Sequence, residues 1–153
     1  MIITEINSSI SSRLSDTFRS FRDQIRRSLG RLDGEETFAY SIYFVPDDAG
    51  WPDAPGYDDD LYNDFYLQSA GTAEAMVIEL KRKDIDGETR QYAVGRPAPA
   101  DQSDMVEVHY ADSTLTVPPS EVFTADEATD IYYQYFQNQT IPEDLTLREL
   151  DLS

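Results

Sequence analysis

The chain has 153 residues, no cysteine, 40% hydrophobic residues, and twelve Lys and Arg against thirty Asp and Glu, for a formal net charge of −18. That length fits a single domain, 1–153, with enough apolar content for a real core. The charge argues against binding bare nucleic acid or an anionic membrane through a basic surface, and the missing cysteines exclude a disulfide framework and a thiolate zinc site.

The start, Met1-Ile2-Ile3-Thr4-Glu5, has no basic region leading into a long apolar run, and no stretch is apolar for long enough to span a bilayer. Cytoplasmic residence is the expectation. Ile6, Ile10, Leu14, Phe18, Phe21, Ile25, Leu29 and Leu32 then recur at spacings of four or three. This predicts one long amphipathic helix over 6–32, ended by Gly30 and Asp33-Gly34. Its other faces carry Arg13, Arg19, Arg22, Arg26, Arg27 and Arg31. Residues 1–32 are therefore basic while the remainder is strongly acidic, so this helix is expected to be semi-independent, packed on the body or on a partner.

Phe38–Val45 is rich in aromatic and β-branched residues and stops at Pro46, which predicts a strand. Residues 46–60 hold three prolines, two glycines and a run of Asp, and predict a long acidic loop. Residues 61–70 fit either a short helix or a strand. From Arg31 to Lys81 no other Lys or Arg occurs, while twelve carboxylates do.

Glu74–Lys83 places Met76, Ile78 and Leu80 on one face of a strand, and Asp86-Gly87 suits the tip of a hairpin returning through Thr89–Gly95. A Pro/Ala loop, Arg96–Gln102, precedes two more short strands, Met105–Tyr110 and Leu115–Val117. Thr124 and Glu127 form a T-x-x-E capping box. Behind it Ala128, Ile131, Tyr132, Tyr135 and Phe136 form one helical stripe. Asn138 is the candidate C-cap, Pro142 stops the helix, and Leu145, Leu147 and Leu150 fit a last edge strand. The expected fold is α+β: a long N-terminal amphipathic helix, an antiparallel sheet of about five strands and one C-terminal amphipathic helix.

Catalytic material is sparse. There is one histidine, His109, and no nucleophile elbow, phosphate loop or metal-ligand His spacing. Asp58-Asp59-Asp60-Leu61-Tyr62-Asn63-Asp64 lacks the glycine that calcium loops need at the sixth place. Asp84-Ile85-Asp86-Gly87-Glu88 is explained by a hairpin tip, and Asn138-Gln139-Thr140 by a helix C-terminal turn. No enzyme activity, cofactor or metal is expected.

The acidic segment also carries aromatics. Acids steer a cationic partner and aromatic rings anchor it. The candidate partner-binding residues are Asp47, Asp48, Trp51, Asp53, Tyr57, Asp58, Asp59, Asp60, Tyr62 and Asp64.

The run VEVHYADSTLTVPPSEVFTADEATDIYYQYFQNQTIPEDLTLREL, with the hairpin AEAMVIELKRKDIDGETRQYAVG before it, resembles the first-numbered immunity-protein family of bacterial polymorphic toxin systems. The matching positions are Val117-Pro118, Thr124 to Phe136, Ile141-Pro142 and Leu145 to Leu150, within about residues 74–150. The resemblance implies a non-enzymatic α+β inhibitor of one cognate basic toxin domain, of nuclease or deaminase class, with no direct nucleic-acid contact. Two other readings of the acidity stand beside it: a nucleic-acid mimic that blocks a DNA-binding protein, and an acid-adapted structural or adaptor domain.

Overall fold

The computed structural model describes residues 2–7, 10–14, 19–45, 65–97 and 104–150. In chain order these form β1 (Ile2–Ile6), β2 (Ile10–Arg13), α1 (Phe21–Gly30), β3 (Ala39–Phe44), β4 (Tyr66–Gly71), β5 (Met76–Lys83) and β6 (Thr89–Gly95). Then follow β7 (Val106–Tyr110), β8 (Ser113–Val117), a 3₁₀ turn (Pro119–Glu121), α2 (Ala125–Asn138) and β9 (Thr146–Glu149). The main sheet runs β2-β1-β3-β4-β5-β6-β9, and β7-β8 pair separately. All these pairings are antiparallel.

The fold is α+β, but it corrects the expected architecture twice. The N-terminal helix is short, with ten residues, Phe21–Gly30. Its expected first half is instead the β1-β2 hairpin, in register from Ile3↔Arg13 to Ile6↔Ile10. A spacing of four satisfies a strand's period of two as well as a helix's 3.6. In Ile2-Ile3-Thr4-Glu5-Ile6 the β-branched residues tip the choice to strand. The helix begins where Ser20 caps it, its side chain accepting from the Asp23 N–H at 3.2 Å. The second correction is the strand number: the main sheet has seven strands, with two more in the separate hairpin, against about five expected.

Both helices cover one face of the sheet. From α1, Ile25 and Leu29 are buried; from α2, Ala128, Ile131, Tyr132 and Tyr135 are buried. They meet Tyr40 and Ile42 of β3, Leu67 of β4, Met76, Ile78 and Leu80 of β5, and Val94 of β6. Each fully buried aliphatic side chain contributes about 1.5–3 kcal/mol. The capping box of α2 is complete, Thr124 and Glu127 bonding reciprocally. Its C-cap is Gln139 (φ 59°), one residue beyond the expected Asn138.

One polar network crosses this core. The Tyr132 hydroxyl lies 2.8 Å from Ser69 Oγ and donates to the Tyr40 carbonyl at 3.1 Å. On the opposite face the β7-β8 hairpin packs Val108 and Val117 against Ala70 and Val77. The molecule is thus layered: helices, a seven-stranded sheet, and a small hairpin.

Candidate functional site

The ten partner-binding residues predicted from sequence, Asp47 to Asp64, lie outside the described residues, as does the acidic loop 46–60. Their flanks are described. Val45 follows β3, and Phe65 precedes β4, whose Tyr66 pairs with Lys81 of β5. Both flanks lie at the end of the sheet that also carries the β5-β6 turn.

At the other end, three turns assemble a second acidic surface that the sequence reading did not single out. In the turn after α1, the Asp33 carboxylate accepts from the N–H groups of Glu35 (2.9 Å) and Thr37 (3.0 Å). Those two backbone bonds hold its carboxyl below the ordinary carboxylate range. Asn7 clamps the same turn: its amide donates to the Glu36 carbonyl, and its oxygen accepts from Phe38 and Ala39. The β4-β5 turn joins through Ala73 N–H to the Leu32 carbonyl (2.8 Å). The β7-β8 turn joins through Ala111 N–H to the Gly34 carbonyl (2.8 Å). Gly34 has φ +80°, and a Cβ there would sit 3.0 Å from the His109 carbonyl oxygen, so glycine permits this approach. The assembly displays Glu35, Glu36, Glu74 and Asp112, all exposed. Among the described residues no base forms an ion pair with any of them.

Three arginines in and just before α1 are answered locally. Arg19 pairs with Asp23, Arg22 with Asp130 and Arg26 with Asp126, the last two joining α1 to α2. At the β5-β6 tip, Asp84 accepts from Tyr92, Arg90 and Arg82, and its carboxyl is held down to about 2, mainly by Tyr92 and Arg90. The Arg90 guanidinium also grips Asp86. This tip is a structural clamp, which accounts for the carboxylates of Asp84-Ile85-Asp86-Gly87-Glu88.

A third cluster lies between the outer sheet face and β8. Glu121 is 7% exposed and accepts two bonds from the Arg148 guanidinium, at 2.8 and 2.9 Å. Beside this pair, half-buried Glu79 accepts from Gln91 Nε2 at 2.6 Å. Loss of solvation pushes the Glu79 carboxyl above its ordinary range, against opposing effects of Gln91 and Arg148. Sequence reasoning missed this cluster. Strand alternation places Val77, Glu79 and Lys81 on one face, but cannot say that β8 comes to cover it.

His109 is exposed, with Nδ1 3.1 Å from Thr114 Oγ1. Among the described residues no group of three or more side chains could hold a metal ion, and no described helix is long and apolar enough to cross a membrane. No protein-family model matches the chain, and no curated protein matches it. The immunity-family resemblance over 74–150 therefore rests on the residues quoted for it.

Proposed function

We propose that this chain is a non-enzymatic, immunity-type inhibitor that binds and neutralises a cognate basic toxin domain of nuclease or deaminase class. The observation that carries the reading is acid without counter-charge. The chain's net charge is −18, and Glu35, Glu36, Glu74 and Asp112 stand on turns fixed by backbone bonds, with no ion-paired base among the described residues. Fixed charges present their field to a partner at little ordering cost. A cationic cleft that evolved for nucleic acid is their natural complement. The acidic, aromatic-bearing segment that includes Trp51 and Asp58 to Asp60 carries the same chemistry in sequence.

The test uses the reading frame directly upstream, which the proposal requires to encode a large secreted protein with a toxic C-terminal domain. That purified domain is expected to bind the chain with an association rate that falls steeply as salt rises. Replacing Glu35, Glu36 and Glu74 with Gln and Asp112 with Asn should slow association about tenfold at low salt. Replacing Asp58, Asp59 and Asp60 with Asn tests the second acidic region in the same assay. No binding to that domain, or an association rate indifferent to salt, refutes the proposal.

A further inference from the structure

We propose that the pocket between the outer face of the main sheet and β8 is a binding site for a primary alkylammonium group, the chemistry of a lysine side chain. The pocket has about 60 Å³ of room and apolar walls that include Val77, Ala93, Leu115, Val117 and Leu150. That is several times the roughly 10–15 Å³ that admits one water, room for the unbranched end of a short alkyl chain.

The charges at the pocket select a cation. Three ionisable groups line it, Glu79 from β5, Glu121 from the 3₁₀ turn and Arg148 from β9. The Arg148 guanidinium makes two bonds to Glu121 and its field also reaches Glu79. Two carboxylates against one guanidinium still leave one negative charge over at the pocket. One oxygen of Glu79 accepts from Gln91; the other has no donor among the described residues. The pocket residues of β8, Leu115 and Val117, bring no charge. A half-buried carboxylate with a vacant acceptor and apolar walls offers an ammonium both an ion partner and a sleeve for its stem. Burial already disfavours the ionised form of Glu79, and an incoming cation relieves that penalty. A neutral donor can offer that oxygen a hydrogen bond but no opposite charge, and an anion is repelled.

Assignment of this ammonium to a lysine of the toxin domain rests on the inhibitor reading; the pocket's preference for the group does not. The experiment is a methyl and amide NMR titration of the full chain with n-propylammonium chloride to about 100 mM at neutral pH and constant ionic strength. Saturable shifts confined to groups around Val77, Ala93, Leu115 and Val117 are expected. n-Propanol, with the same stem and a neutral donor, should bind at least tenfold more weakly, and tetramethylammonium, too bulky to reach the carboxylate, should give no shifts. Glu79→Gln should weaken propylammonium binding at least tenfold, and its unchanged amide spectrum elsewhere shows that it folds. Non-saturating shifts, or equal binding by Glu79→Gln, overturn the proposal. If propylammonium binds while the upstream domain does not, the site stands and the inhibitor reading falls.

Discussion

Tyr40 and Tyr132 offer a controlled test of what holds α2 to the sheet. Their rings lie 5.4 Å apart between centroids, and both are buried. Their hydroxyls differ in one respect. That of Tyr132 is engaged with Ser69 Oγ and the Tyr40 carbonyl, while that of Tyr40, with the Ser28 and Thr4 side chains near it, makes no well-formed hydrogen bond among the described residues. Tyr132→Phe removes two bonds and strands the buried Ser69 hydroxyl, a loss of roughly 1–3 kcal/mol. Tyr40→Phe removes a desolvated hydroxyl whose contacts with Ser28 and Thr4 fall short of well-formed bonds, and should leave stability within about 0.5 kcal/mol of wild type or raise it. Adding Ser69→Ala to Tyr132→Phe removes the stranded partner and should recover about 1 kcal/mol relative to additivity. Urea unfolding followed by circular dichroism measures all four variants, with an unchanged dependence on denaturant required for the comparison. Equal losses from Tyr40→Phe and Tyr132→Phe, or strict additivity of Ser69→Ala and Tyr132→Phe, would show that burial and not the network sets the energetics.

Three further outcomes follow from particular contacts. Gly71 has φ +129°, and an added Cβ would lie 2.5 Å from the Ala75 carbonyl oxygen; Gly71→Ala should cost roughly 2–4 kcal/mol in the same assay. Arg148→Met leaves the buried Glu121 carboxylate without its guanidinium and should destabilise by about 2 kcal/mol, at least half of it restored by adding Glu121→Gln. The Asp84 carboxyl is held down to about 2 from the ordinary 3.8. Its contribution is therefore complete above about pH 4 and lost as pH falls from there to about 2. Thermal melts of wild type and Asp84→Asn should differ by a constant amount near neutrality and converge across that acid window; divergence on acidification would contradict the assigned sign.

Residue patterns carried some elements fully and misled on others. The T-x-x-E box and the stripe from Ala128 to Phe136 were sufficient for α2, because capping and periodicity pointed the same way. Met76, Ile78 and Leu80 alternate cleanly enough to give β5 and its inward face. Ile6, Ile10 and Leu14 were misread because their spacing fits both periods, and only the β-branched run Ile2-Ile3-Thr4 distinguishes them. Residues 61–70 fit a helix or a strand by pattern; β4, Tyr66–Gly71, begins within them and is a central strand whose Leu67 and Ser69 face the helices. The acidic end and the Glu79 pocket were illegible for a different reason. Glu35, Glu74 and Asp112 are far apart in the chain, and their convergence depends on main-chain bonds at Leu32 and Gly34 that leave no residue signature.

The order of the strands also shapes how the molecule comes together. The ladders β4-β5, β5-β6 and β7-β8 each close a turn of a few residues, so little chain entropy opposes them. The β1-β3 and β6-β9 ladders instead join segments separated by whole helices. Loop closure makes the central meander the first to zip and leaves the outermost strands to anneal last. In native-state hydrogen exchange the same asymmetry runs in reverse: amides of β9 and β2 open through small fluctuations, and those of β4 and β5 exchange only when the whole structure unfolds.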